Sequence, residues 1–315
     1  MARIEILRYE PSMAKSWDNF IDGSKNGVFL FNRPYADYHA DRFVDHSLVA
    51  RVGDRVVAVL PANLAGSVLQ SHGGLTFGGV ISDRSMDTPL MMEVFEALVK
   101  YLREHRISKL VYKRVPHIYH SVPADEDLYA LFRHGAKLTR RDLSSTIDLK
   151  DPIAVTKARR HAIRKAKATP LKVAPSRDFK QFMEIEAKLL LEKHGATPTH
   201  SGDEMDLLAS RFPKNIKLFG AENDTRMVAG VIVYETPIVA HSQYIASTDE
   251  GRQLHAVDLI LDQLISREYR QKRYFDFGIS TEDAGQYLNE GLVGFKESHG
   301  GRAIAYDAYE LDVRN

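Results

Sequence analysis

Apolar and polar positions along the chain fall into a pattern that occurs twice, each copy predicting a strand, a second strand, an amphipathic helix and a further strand. In the first half the run Arg55–Pro61 predicts a strand and Ser67–Phe77 a second strand ending in a glycine-rich turn. Pro89–His105 predicts a helix and Ile107–Lys113 the strand after it. The second half repeats the order with Arg226–Tyr234, Ile238–Ser247, His255–Gln271 and Tyr274–Ile279. Both helices carry the apolar stripe of an element packed on a sheet: Leu90, Val94, Leu98 and Leu102 in the first, Val257, Ile260, Leu261, Leu264 and Ile265 in the second. Asp87-Thr88-Pro89 supplies a cap and a first-turn proline to the first helix, and Thr248 to Gly251 offers cap-type residues upstream of the second. Each half is therefore a sheet with helices, and the class is α+β or mixed α/β. Ser144–Asp148 reads as the last strand of the first half, which places the join near Leu149–Pro152. We expect one domain over 1–150, a second over 151–302, and a C-terminal strand within 303–315 that returns to either sheet.

Length and charge narrow the function classes. With 315 residues and 44% hydrophobic content, two ordinary domains can each bury a core. Lys and Arg number 43 against 42 Asp and Glu, so no global field points to nucleic acid or an anionic membrane, and any basic site must be local. Neither an export leader nor a transmembrane segment is expected, because no apolar h-region opens the chain and nowhere do about 18 uncharged apolar residues run together. The chain has no cysteine, which removes disulfides, thiolate nucleophiles and thiolate-ligated metals and makes the cytoplasm the default location. Nothing in the pattern bears on oligomeric state.

Three regions could carry chemistry. The turn after Tyr244-Ile245-Ala246-Ser247 leads a strand into a helix, where free backbone N–H groups suit a phosphate or a developing oxyanion. Asp249 and Glu250 in that turn would repel a pyrophosphate, and every strand-to-helix junction shares the geometry. Lys157 to Arg177 holds eight basic residues, with no acid between Asp151 and Asp178. On a helix Lys157, Arg160, Arg164 and Lys167 share one face, fit for a multiply charged phosphate or an RNA backbone; the plain alternative is a solvated helix. The third region is Tyr274 to Glu282 followed by Leu288 to Gly301. There Asp276 alternates with aromatic residues and is expected to point into a cleft where burial raises its pKa toward that of a proton acceptor, or else to cap a loop. Lys296, beside Phe295, could neutralise an oxyanion or simply pair with a nearby acid. His72 in Ser71–Gly74 and the histidines of Pro116–His120 could line a pocket at strand ends. The 13 histidines show no metal-ligand spacing, so no metal is expected, and no nucleophile elbow, P-loop or dinucleotide fingerprint occurs.

Arg160–Ala166, Phe219–Gly230, Tyr274–Gly278 and Gly291–Lys296, in that order, resemble the FemAB-type tandem acyltransferases of the GNAT-like acyl-CoA N-acyltransferase superfamily. The resemblance is clearest over residues 155–302 and weaker over the first half, where Trp17–Phe20 and Ser71–Gly79 look like the companion domain. It implies two tandem GNAT-like domains, each a mixed sheet flanked by helices, with an acyl or aminoacyl group delivered to an amine at the C-terminal domain and the acceptor bound in the cleft between domains. The donor it implies is acyl-CoA or aminoacyl-tRNA as co-substrate, with no tightly bound cofactor. The acceptor is an amino group on a phosphate-bearing cell-wall, polysaccharide or small-molecule precursor. Carried over by residue, Phe295 and Lys296 look like the family's pair beside the reacting ester, Arg160 and Arg164 like its acceptor-phosphate basics, and Asp276 like a cleft residue. Tyr244 and His72 join them as substrate-binding candidates, and Gly251, Arg252 and Gln253 as donor-binding ones. The chain departs from the CoA-binding GNAT pattern at Arg252–Ala256, which lacks the glycine expected at the helix start, and it has no long helical arm. The competing readings are a binding or scaffold protein that keeps the tandem fold without catalysis, and an RNA contact at Lys157–Lys172; DNA is not expected as a partner.

Overall fold

The computed structural model describes residues 4–314, and the chain divides into two compact units. The first comprises Met1–Asp142, Asp283–Gly285 and Ala305–Asn315; the second comprises Leu143–Glu282 and Gln286–Ile304. Among the described residues no helix is long and apolar enough to cross a membrane.

In the first unit, Ile4–Arg8, Leu48–Val52, Arg55–Leu60 and Ile81–Ser82 form an antiparallel four-stranded sheet in that order. A second set runs Arg302–Asp312, Lys109–Lys113, Val68–Gln70, Asn63–Ala65 and Val44–Asp45, with only Val68–Gln70 and Lys109–Lys113 parallel. Thr88–Glu104 packs its apolar stripe onto this core through Met91, Val94, Phe95, Leu98 and Leu102. Its start follows the sequence signal, for Asp87 accepts the Leu90 N–H and Pro89 sits in the first turn. The expected strand Ser67–Phe77 is shorter than its apolar pattern and ends at Gln70. His72 there adopts φ 55°, in the left-handed region that breaks a strand.

The second unit is a three-layer arrangement built on one mixed sheet. Its strands run Lys172–Ser176, Ile216–Asn223, Arg226–Glu235, Val239–Ser247, Tyr274–Ile279 and the 144–148 part of Lys137–Asp148. All neighbours are antiparallel except Val239–Ser247 with Tyr274–Ile279. Met227 to Tyr234 are all buried, as a strand covered on both faces requires. Val231 and Val233 meet Ala256, Ile260 and Leu261 of the helix Ala256–Gln263 in one core. On the other face a Cβ at Gly230 would lie 2.4 Å from the Phe182 ring, so only glycine lets the helix Phe179–His194 approach so closely. On that face Tyr234 reaches Met205 of the helix Gly202–Arg211. The helix expected over His255–Gln271 starts one residue later, ends at Glu268 and is preceded by a second, short one. A short helix Asp249–Gln253, capped by Thr248, is followed by His255 at φ 56°, then by Ala256–Gln263 and a π-turn over Leu264–Glu268. A Cβ at Gly251 would lie 2.2 Å from the Val228 carbonyl oxygen, so the short helix starts tight against the sheet and the chain must turn before the longer one begins.

Candidate active site

The parallel pairing of Val239–Ser247 with Tyr274–Ile279 is confined to three residue pairs, Val239 with Tyr274, Ala240 with Phe275 and His241 with Asp276. Past that point the two strands share no further pairs among the described residues, so Ser242 to Ser247 present an unpaired edge. At the last pair His241 Nδ1 donates to Asp276 Oδ2 at 2.7 Å. Ser144 and Thr146 on the opposite neighbour donate their hydroxyls to Asp276 Oδ1 at 2.5 and 2.6 Å. Asp276 is fully buried, and burial alone would raise its pKa; the His241 hydrogen bond and charge, with the two hydroxyls, outweigh that and hold it at about 2. The expected raised, proton-accepting Asp276 is therefore corrected to a firmly ionised carboxylate. It fixes the His241 ring with Nδ1 protonated and leaves Nε2 to accept a proton, on a side chain that is 19% exposed.

Lys296 lies on the helix Glu290–Ser298 and is 4% exposed. Its Nζ donates to the Gly278 and Ile279 carbonyls at 2.9 and 2.6 Å, tying down the end of the Tyr274–Ile279 strand. Burial lowers its pKa to about 8 against the opposing pull of Asp276. Among the described residues the lysine pairs with neither Glu297 nor a surface acid. Phe295, one residue earlier, stacks under the Arg159 guanidinium at 4.9 Å and touches His299 edge-on.

A second polar group shares a sheet face with His241. Tyr234 pairs with His241 and Ile232 with Tyr244, and residues two apart on one strand face the same way, so the bulge at Gln243 brings His241 and Tyr244 onto one face. Tyr244 Oη lies 2.6 Å from His200 Nδ1, and burial together with the Glu186 charge raises the tyrosine's pKa to about 12. Glu186, on the helix Phe179–His194, is 7% exposed.

The domain profile of the GNAT acetyltransferases matches residues 154–287, which span the whole of this geometry except Ser144, Thr146 and the Lys296 helix. Over 98% of this chain and 97% of its own, FemX has the same fold at a TM-score of 0.71 and 12% identity. L-PGS from Bacillus licheniformis matches at 0.61 and 10%, over 98% of this chain and 93% of its own. A tandem GNAT protein from the clavulanic acid biosynthesis pathway matches at 0.51 and 13%, over 99% of both chains. Residues 154–287 thus match a GNAT acetyltransferase domain, and the chain as a whole has the fold of FemX and of the tandem GNAT protein. No curated protein matches it by sequence.

The remaining candidates take their places in or outside this GNAT domain. Arg160 and Arg164 are exposed on the helix Lys157–Lys167, whose Ala162, Ile163 and Ala166 are buried. Two neighbouring basics are already engaged, Arg159 with Asp258 at 2.8 Å and Lys167 with Asp262 at 2.7 Å. Gly251 donates its N–H to the Thr248 hydroxyl, while Arg252 pairs with Asp249 and Gln253 is exposed. Ser247 to Glu250 and Arg252 line a cleft of about 450 Å³ with Lys188, Arg226 and the acids Glu184 and Glu192. Its four carboxylates face three cations, each already paired with one of them: Arg226 with Glu250, Arg252 with Asp249 and Lys188 with Glu192. This balance does not fit a bound pyrophosphate, so the donor residues named from the sequence do not make a CoA cradle by charge. His72 lies in the first unit, 5% exposed, with a pKa lowered to about 4 by burial and by Lys113.

Sequence reasoning missed His241, Ser144, Thr146, His200 and Glu186. For Glu186 a signal was present: it follows Phe182 and Met183 at the four- and three-residue spacing of a buried helix stripe, where a carboxylate is out of place. For the others no local pattern shows that a strand position pairs with a residue more than thirty positions away.

Proposed function

We propose that the second unit moves an acyl or aminoacyl group from an activated ester or thioester, acyl-CoA or aminoacyl-tRNA, to an amino group on a phosphate-bearing precursor. One observation carries this reading: the Asp276–His241 pair stands where the two parallel strands part. An opening between strands lets an acyl group lie along the edge of Ser242 to Ala246 that is turned away from Arg226–Glu235. His241 Nε2, oriented by Asp276, then removes a proton as the amine attacks the acyl carbon. Lys296 uses two of its three N–H bonds on the strand end and keeps one for the charge that develops on the acyl oxygen. Arg160 and Arg164 hold the acceptor phosphate as exposed cations, and Tyr244 and Phe295 bound the reacting groups. Acyl-CoA is the co-substrate of GNAT domains; the acidic cleft beside Gly251 favours a donor whose charged part lies elsewhere.

The experiment screens the purified chain for transfer from acetyl-CoA, longer acyl-CoAs and an aminoacyl-tRNA mimic to phosphate-bearing amines. His241→Ala should then lose about 10²–10⁴-fold in kcat with an unchanged unfolding midpoint. Wild-type turnover in that variant would remove His241 from the reaction.

A further inference from the structure

Acylating an amine at neutral pH requires more than one proton acceptor. A primary amine arrives as R–NH3+, and the overall change is R–NH3+ plus R′CO–X giving R′CO–NH–R, HX and a proton. The first N–H proton must leave before nitrogen has a lone pair for attack. The second leaves as the N–C bond forms and the C–X bond breaks, and it ends on the leaving atom X. His241 serves the second step, which leaves the first without a base.

Glu186 has the properties that step needs. It is 7% exposed on the sheet-facing side of the helix Phe179–His194, and no hydrogen bond or ion pair reaches its carboxylate among the described residues. Burial alone raises its pKa, to about 7. On the elements packed against this helix, Tyr234, His241 and Tyr244 stand on the sheet and Asp203, Asp206 and Arg211 on the helix Gly202–Arg211; none of them offsets that rise. An uncompensated buried carboxyl costs stability, and it calls for a cation that arrives only with a ligand. Its neighbour Tyr244, held by His200 in a T-shaped contact with ring centroids 5.9 Å apart, adds an aromatic ring of the kind that favours an ammonium. Tyr244 shares its sheet face with His241, and the helix that carries Glu186 packs against their strand.

We infer that Glu186, with the ring of Tyr244, forms the subsite for the acceptor's ammonium group and takes its first proton, which rests on the acyl-transfer reading above. The carboxylate accepts that proton and leaves R–NH2. Nitrogen then attacks the acyl carbon, the second N–H proton passes to His241 Nε2 and from there to X as the C–X bond breaks. Glu186 returns its proton to water after product leaves.

Two measurements on the full chain test this. In thermal unfolding at pH 7, 2-aminoethyl phosphate should raise the wild-type midpoint and 2-hydroxyethyl phosphate should not, with Glu186→Gln abolishing the difference. Equal shifts from both compounds, no shift from either, or an amine shift kept in Glu186→Gln would overturn the subsite. In the transfer assay, Glu186→Gln should lose at least about tenfold in kcat/KM at pH 7 and recover as pH passes the pKa of the amine, where the substrate arrives neutral. His241→Ala should stay low at every pH. An active wild type whose pH profile is unchanged in Glu186→Gln would overturn the inference and leave the acyl-transfer reading intact. A wild type that transfers from no donor would overturn that reading, and the thermal comparison would still decide the subsite. Glu186→Asp, which keeps the charge, should restore part of the amine-dependent shift; a merely structural role would leave both variants alike.

Discussion

Each unit sets two parallel strands side by side over three residue pairs, and the third pair differs in kind. In the second unit it is His241 with Asp276; in the first, where Val68–Gln70 meets Lys109–Lys113, it is Gln70 with Val111. A lysine ties down the backbone beside each pair. Lys113 Nζ donates to the Gly73 carbonyl at 3.4 Å and to that of Leu75, as Lys296 Nζ does to Gly278 and Ile279. Burial lowers both lysines to about 8. The lysine clamp thus occurs with and without a carboxylate–histidine pair, so holding a strand end is one job and proton transfer another. Among the described residues, the second unit places a histidine–carboxylate pair where its strands separate and the first does not.

The sharpest way to break this contrast is Asp276→Asn. Removing one partner of a fully buried, hydrogen-bonded pair leaves the others without their charge, which costs about 3–5 kcal/mol. The amide can also turn the His241 tautomer over, so activity should fall further than stability does. Acid should act in the same direction. Because the folded pKa of Asp276 lies below its unfolded value, its contribution is complete above the unfolded pKa of 3.8 and disappears as pH falls toward about 2. Urea unfolding at pH 7 and at pH 3 reads both effects, and a wild-type curve that Asp276→Asn reproduces at both pH values would show that the pair contributes nothing.

Next in size come the two clamps compared directly. Lys296→Ala and Lys113→Ala should each destabilise by about 1–3 kcal/mol, since each strands two carbonyls that the lysine satisfies. Their pH signature has a defined sign. A lysine whose folded pKa is lowered disfavours folding while charged, so the wild type gains stability as pH rises from about 8 toward the unfolded value of 10.5, and each variant should lose part of that gain. Activity separates the pair: Lys296→Ala should reduce transfer beyond its loss of fold, and Lys113→Ala should not. Equal losses in transfer would reduce Lys296 to a clamp.

Much of this frame is legible in the chain because burial on both faces leaves a run such as Met227 to Tyr234 apolar, and because Asp87-Thr88-Pro89 announces a helix start wherever it is used. Asp276 could be singled out as a polar residue among aromatics, but not read correctly. The groups that set its ionisation lie 35, 130 and 132 positions away, and strand alternation carries no register between strands. The same gap hid His241, whose partner is fixed by a three-pair parallel ladder. The short helix Asp249–Gln253 was missed for another reason: the apolar stripe from Val257 to Ile265 begins after it and does not record how closely Gly251 approaches the Val228 carbonyl.

The smallest test asks whether the hydroxyls matter separately from the histidine. Thr146→Val keeps the shape of the side chain and removes one donor at 2.6 Å from Asp276 Oδ1, while Ser144 at 2.5 Å and His241 remain. A hydrogen bond to a charged group contributes about 1.5–3 kcal/mol, and the remaining donors take up part of that, so a loss near about 1 kcal/mol is expected. With one fewer donor to its charged form, Asp276 should titrate closer to an ordinary aspartate, and acid unfolding should begin at a higher pH than in the wild type. The first unit supplies the control, because Val111 occupies the place of Asp276 and no carboxylate there can respond. If Thr146→Val unfolds in acid as the wild type does, His241 and Ser144 alone set the charge of Asp276, and the hydroxyl of Thr146 only fills space between two strands.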